Sequence, residues 1–282
     1  MTSRSRSRRP SRGPSRGASR GASRGASRGK SKKVVHSFLF ARTYDLIEPG
    51  KLIVAVYANF YPIAYKTRTG ELAGLDVDIM KSFAKAAKLE LVLVERPHFN
   101  KIWKQTARRR ADIAIGGIGM MPNRLHRHIE WSLPYFHVMR TVVYNKSDPI
   151  QHFPQDVHRE VLGTFGSTGW LDAELRAKPL HKDHLMIRGT TDEEDIQRVK
   201  DGEVQGMMRG SFVGQSIVHR YPDLLAMAKP WNIDPSLVTS DGEIFAFPTH
   251  VGSGLAPALS SFLTEMLFTG ELDRLLIKYK LK

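Results

Sequence analysis

Apolar residues fall in short blocks whose spacing switches between two periods. After Lys51, residues 52–57 (LIVAVY) run without a polar break, the pattern of a strand buried on both faces, and the strand is expected over 51–57. A polar turn follows at 66–70. Asp76 then precedes Val77, Ile79, Met80, Phe83, Ala84 and Ala87, which largely keep helical spacing, and Asp76 is expected to cap that helix. Residues 89–94 predict a second strand, 100–109 a short helix, and 112–115 a third strand running into Gly116-Gly117-Ile118-Gly119. The second half repeats this grammar. It reads as a strand at 161–164, a helix opened by Gly166-Ser167-Thr168-Gly169, and a helix at 192–200 capped by Thr191. A strand at 204–208, a helix at 210–220 and a strand at 243–248 follow, and helices at 255–268 and 271–280 close the chain. Strands alternating with helices predict an α/β fold built from parallel βαβ units. Helices that begin just after strands aim free N–H groups at the sheet edge where small anions bind.

Charge changes this picture only at one end. The 282 residues carry 43 Lys and Arg against 28 Asp and Glu, a net +15. Residues 1–33 hold nine Arg, three Lys and no acid; without those twelve, 31 basic groups face 28 acidic ones, a net +3. The basic character is therefore that of a tail, in which Ser-Arg-Gly recurs every four residues with nothing apolar to bury, and residues 1–33 read as disordered. Arginines that neutralise phosphates make nucleic acid a conceivable partner of the tail alone, although no aromatic side chain is interleaved for base stacking. The apolar stretch behind it, 34–41, is short and broken by His36 and Ser37, a poor secretion signal. No segment approaches the roughly 20 apolar residues of a transmembrane helix. The absence of cysteine excludes disulfides, thiol catalysis and Cys-based metal sites.

Six short motifs in order then point to a family. They are Gly50-Lys51-Leu52-Ile53-Val54-Ala55-Val56, Tyr61-Pro62-Ile63-Ala64-Tyr65, Gly74-Leu75-Asp76-Val77-Asp78-Ile79 and Ala111-Asp112-Ile113-Ala114-Ile115. Met121-Pro122-Asn123-Arg124 and Glu130-Trp131-Ser132-Leu133-Pro134-Tyr135-Phe136 complete the set. From about Leu46 to Lys282 the chain resembles the bacterial extracellular solute-binding proteins of family 3, the type II periplasmic amino-acid-binding proteins of ABC importers. The resemblance implies two α/β lobes joined by two crossovers, with the ligand clamped between them. Crossovers are then expected near 141–146 and 242–246, lobe 1 at 48–143 plus 244–282, and lobe 2 at 147–241. It also implies a monomer in the periplasm or outside the cell, an ABC permease as partner, and no cofactor.

Several site residues follow from the resemblance. Arg124 aligns with the arginine that grips a ligand carboxylate, a task suited to a planar, two-pronged donor. Gly117 and Gly119 stand where only backbone groups could contact ligand. Phe99 and Phe60 align with aromatics that cover the ligand, with Tyr57 and Asn59 beside Phe60. Ser167 and Thr168 match a hydroxyl pair at the start of a lobe-2 helix, where they also suit helix capping. α-Amino-acid binders of the family usually place an Asp at the position of Gly210, so the partner of a ligand ammonium is not apparent. The neighbouring Arg209 suggests a second anionic group on the ligand.

Cyclohexadienyl dehydratases share this fold and carry a catalytic glutamate at the position of Val213. Without a carboxylic acid there, general-acid catalysis has no evident agent, and a binding protein is the expectation. An RNA-binding protein would rest on the tail alone. His126-Arg127-His128 and His181-Lys182-Asp183-His184 are the closest histidine clusters, but both sit among Lys and Arg, which disfavours a metal ion.

Overall fold

The computed structural model describes residues 43–181, 186–238 and 242–282. The tail at 1–33, the stretch 34–41 and His184 lie outside the described residues. In chain order the first part contains β1 (Lys51–Val56), β2 (Asn59–Phe60), β3 (Ala64–Lys66), β4 (Leu72–Ala73), α1 (Leu75–Ala87), β5 (Glu90–Glu95), α2 (Lys104–Ala107), β6 (Ile113–Ile115) and β7 (Ile129–Trp131). Then come β8 (Phe136–Val138), β9 (Arg140–Asn145), β10 (Val161–Gly163), α3 (Thr168–Ala177), β11 (Met186–Arg188), α4 (Asp192–Lys200), β12 (Gly206–Gly210), α5 (Ser211–Arg220) and β13 (Leu225–Met227). The chain ends with β14 (Glu243–Phe245), β15 (Pro248–His250), α6 (Leu255–Phe268) and α7 (Glu271–Lys278).

Two five-stranded sheets result, ordered β5-β1-β6-β15-β7 and β11-β10-β12-β9-β13. β1 runs parallel to β5 and β6, and β10 parallel to β11 and β12. Each sheet is completed by strands that enter antiparallel, β15 in the first and β9 in the second. Between the sheets the chain passes twice, and the two passages pair with each other: β8 and β14 form an antiparallel ribbon with Val138 opposite Glu243. The main core joins β1 to α1 and α6, where Phe83 and Phe262 meet edge-on at 5.5 Å. Helix α6 buries Leu255, Leu259, Phe262, Leu263 and Met266 at helical spacing, each contributing about 1.5–3 kcal/mol. A second cluster, with Val142, Trp170, Met186 and Met208, fills one side of the second sheet.

Four expectations change. Helix α1 begins at Leu75 with Gly74 as its N-terminal flank, at φ 125°, where a Cβ would stand 2.4 Å from the Ile63 carbonyl oxygen. Asp76 is therefore one residue inside the helix and does not cap it. The helix expected at 100–109 is only Lys104–Ala107. The strand expected at 243–248 is two strands, one in the ribbon and one in the first sheet. Finally, all six residues of β9 are buried, because the strand lies between β12 and β13 in the second sheet. The first passage between sheets thus falls at β8, ahead of the expected 141–146, and residues 140–143 belong with the second sheet.

Candidate functional site

Where β6 ends, Gly116 and Gly117 turn the chain at φ 124° and 65°. A Cβ on Gly117 would lie 2.5 Å from the Phe60 ring, so the glycine lets Phe60 close over the turn. Asp76 fixes this turn from behind. Its Oδ2 accepts from Gly116 N and Gly117 N at 2.9 and 3.0 Å, and its Oδ1 accepts from the Tyr135 hydroxyl at 2.5 Å. Burial pushes the Asp76 carboxyl up to about 6, against the pull of those three donors. The Gly117 amide is therefore engaged internally, whereas the sequence offered it to a ligand.

Arg124 ends the one-turn 3-10 helix Pro122–Arg124 and is 1% exposed. Its Nη1 donates to Gly119 O at 2.8 Å, and its Nη2 crosses to Gly166 O, beyond β10 of the second sheet, at 3.2 Å. The guanidinium carbon lies 4.5 Å from the Trp103 ring centre and 5.5 Å from that of Phe99. Its Nε is buried without a partner. Burial pulls the guanidinium down to about 10, and the Glu243 carboxylate works against that fall.

Glu243, at the start of β14, and Arg140, at the start of β9, form a buried ion pair through Oε2 and Nη2. Glu243 is 1% exposed and Arg140 6%. The backbone of Arg140 is pinned to Trp231 by two hydrogen bonds of 2.8 and 2.9 Å, and its Nε too is buried without a partner. Beside Gly119 the polar groups converge. A Cβ on that glycine would stand 2.9 Å from Glu243 Oε1, 3.0 Å from Thr168 Oγ1 and 3.4 Å from Arg124 Nη1. Gly119 thus leaves room for three polar groups, two of them charged, to approach one point.

A cavity of about 40 Å³ lies here, lined in part by Arg140, Glu243, Thr168, Ser167, Gly117 and Phe60. Tyr57, Asn59 and Phe99 line it as well, with Tyr57 and Phe99 edge-to-face at 5.4 Å. It shares Tyr57, Asn59, Phe60, Phe99, Thr164 and Asp192 with an outer groove of about 1120 Å³. Ser167 caps α3, its Oγ accepting from Trp170 N at 3.0 Å, and Thr168 Oγ1 donates to Met121 Sδ at 3.0 Å. Asn59 Nδ2 reaches across to Thr190 O at 2.8 Å.

Eight of the ten residues singled out from the sequence line this cavity, with Gly119 and Arg124 beside it; of the eight, Arg209 has its nitrogens already engaged. Its Nε donates to Asp192 at 3.0 Å, Nη2 to Asp195 at 2.7 Å and Nη1 to Met208 O at 2.8 Å. Burial raises the Asp192 carboxyl and the Arg209 charge opposes it. The sequence reading missed Arg140, Glu243 and Asp192. These charges sit in apolar strands or in a helix first turn, where a lone charge reads as an edge position or a cap. The carboxylate it found lacking near Gly210 is present in space, as Glu243 and Asp192. Val213, at the position of the dehydratase glutamate, is buried and apolar, on α5 beside the outer groove. Among the described residues no group of three or more His, Asp or Glu could hold a metal ion.

Three comparisons bear on this geometry. The family model of bacterial extracellular solute-binding proteins, family 3, matches residues 52–282. Cyclohexadienyl dehydratase of Pseudomonas aeruginosa is 25% identical over 189 residues, which are 66% of this chain and 69% of that protein. A probable histidine-binding protein of Neisseria gonorrhoeae is 28% identical over 103 residues, 36% of this chain and 38% of that one. Among solved structures, an ancestral arginine-binding protein bound to arginine superposes with a TM-score of 0.70 at 24% identity, covering 82% of this chain and 98% of its own. That likeness establishes a type II periplasmic-binding-protein fold.

Proposed function

Because the chain belongs to the bacterial extracellular solute-binding proteins of family 3, we propose that, in the periplasm or outside the cell, it captures a small amino-acid-like or carboxylate solute between two lobes and passes it to an ABC permease in the membrane. Lobe 1 is built on the first sheet and lobe 2 on the second, with the β8–β14 ribbon as the joint. The observation that carries this reading is Arg124. A guanidinium so deeply buried, bridging the two sheets through Gly119 O and Gly166 O with Nε unpartnered, is a donor set suited to a carboxylate held between the lobes. A cavity of about 40 Å³ has room for only a few water-sized groups, so an amino acid enters when the lobes part.

A thermal-shift screen of the twenty amino acids and small carboxylates on the full chain tests this. A ligand at about 100 times its Kd stabilises the native state by roughly 2.7 kcal/mol. Absence of any shift across the panel would sink the reading.

The dehydratase relative motivates a second assay. Prephenate and arogenate are expected to yield no phenylpyruvate or phenylalanine, since Glu243 is paired with Arg140 and Asp192 with Arg209, which suits anions rather than a proton donor. Turnover well above the uncatalysed rate would make the protein an enzyme.

A further inference from the structure

The charges around the cavity are equal in number. Arg140 and Arg209 line it with Glu243 and Asp192, and just behind stand Arg124 on one side and Asp195 on the other. Three guanidinium groups therefore face three carboxylates, all but Asp192 nine-tenths or more buried. Uncompensated charge in such a place is costly, so a ligand that keeps the balance is favoured over one that upsets it. A zwitterion keeps it; a dicarboxylate or a cationic amino acid does not.

Within this set, one ion pair differs from the others. Arg209 is held on all three nitrogens by Asp192, Asp195 and a backbone oxygen, which makes it part of the frame. Arg140 touches its carboxylate through Nη2 while Nε stays unpartnered. Glu243 places its second oxygen at the point beside Gly119 that Thr168 Oγ1 and Arg124 Nη1 also approach. The Glu243 carboxylate thus stands between Arg140 and Arg124, where the carboxylate of a bound molecule would be held by both.

We propose that Glu243 and Arg140 form an exchangeable ion pair that selects amino acids with uncharged side chains. The ligand carboxylate displaces the Glu243 carboxylate between Arg140 and Arg124, and the freed Glu243 accepts the ligand ammonium. One internal pair becomes two intermolecular ones, and no buried charge loses its partner. The side chain then lies toward Tyr57, Phe60 and Phe99 at the opening of the outer groove, an aromatic wall beside Asp192, whose charge Arg209 already engages. Glu243 and Arg140 lie at the joint itself, on β14 opposite Val138 and two residues beyond Val138. Exchange of the pair therefore acts where the lobes hinge. This assignment rests on the solute-binding reading above.

The test is calorimetric titration of the full chain with L-amino acids of uncharged, cationic and anionic side chain, each beside its deaminated carboxylate. L-leucine with 4-methylpentanoate and L-phenylalanine with 3-phenylpropionate are the uncharged probes. The wild-type protein is expected to bind an uncharged amino acid most tightly, and its deaminated analogue at least about 30-fold more weakly. In Glu243→Gln that ratio is expected to fall to a few-fold, because the amino acid weakens while the deaminated acid does not. Glu243→Asp, which keeps the charge, is expected to retain it. A merely structural Glu243 would instead weaken both ligands together, and that result overturns the proposal. So does tightest binding of arginine, lysine, glutamate or aspartate by the wild type, a readout that stands even if Glu243→Gln fails to fold. If no probe binds the wild-type protein, the solute-binding reading falls as well, so the two failures are told apart.

Discussion

Arg124→Met is expected to abolish ligand-induced stabilisation while costing the ligand-free protein far less. The two effects separate because the arginine carries different weights in the two states. In the ligand-free protein its charge is buried against two aromatic rings and two carbonyl oxygens, with no carboxylate in direct contact. The fall of its guanidinium to about 10 has burial as its largest cause. Losing the buried charge relieves its desolvation, which offsets part of the roughly 1.5–3 kcal/mol that each lost carbonyl contact represents. With a carboxylate bound, the same replacement removes one member of a desolvated pair, a loss of roughly 2–5 kcal/mol. At about 1.4 kcal/mol per decade this is a 30-fold to several-thousand-fold fall in affinity. Arg124→Lys is expected to weaken binding too, since a single ammonium cannot reproduce two parallel donors. Calorimetry on the three proteins, with their melting temperatures, decides the matter. Near-wild-type affinity in a folded Arg124→Met would place the carboxylate elsewhere, with Arg140 the next donor.

The second large effect is expected at Asp76, and it is one of stability. Asp76→Ala leaves Gly116 N, Gly117 N and the Tyr135 hydroxyl without their acceptor in a fully buried place. Each orphaned group costs about 1–3 kcal/mol, and water entering the space left by the carboxylate recovers part of that, so a total of roughly 3–5 kcal/mol is expected. For a domain of this size that is a fall in melting temperature of roughly 6–20 °C. Asp76→Asn is expected to be much milder. Its one oxygen can serve both glycine amides while its NH₂ donates to the tyrosine oxygen, and it avoids burying a charge. Equal losses in the two variants, measured by thermal unfolding, would show that the carboxylate charge, rather than the hydrogen bonds alone, holds the turn. Ligand affinity is expected to fall with Asp76→Ala as well, since the same turn carries Gly117 against Phe60.

Asp76 also shows how far the sequence could be read. Its position before an apolar helical face was legible, and α1 is there. Its role was not, because an Asp at a helix start has one local use, capping, and only the fold reveals that Gly116 lies opposite. Thr191 illustrates the contrary case. Its capping box with Glu194 is complete within four residues, and α4 spans the residues expected. Helix α6 was likewise legible to the residue, since its apolar face and Gly254 and Gly270 mark both ends. Strands were less so. Behind Glu243, residues 244–248 form one apolar run, yet the chain leaves the ribbon after Phe245 and joins another sheet at Pro248. In the candidate site, Met121-Pro122-Asn123-Arg124 drew attention to Arg124, which the structure buries against Gly119 O and Gly166 O. Arg140 and Glu243, 103 positions apart in sequence, carry no local pattern that would pair them.

The sheet order has a consequence for how the protein is made. In the first sheet β15 lies between β6 and β7, so that sheet stays incomplete until residues 248–250 leave the ribosome. The second sheet is a contiguous segment, complete once β13 at 225–227 has been synthesised. β7 must therefore wait for a partner about 120 residues downstream, roughly 6–24 s at about 5–20 residues per second. Synthesis from the N-terminus would then finish the later sheet before the earlier one. Limited proteolysis of ribosome-stalled chains ending shortly after β13 emerges should find residues 140–227 protected while 113–131 are still cut. Protection appearing in both regions together would mean that the two sheets fold as one.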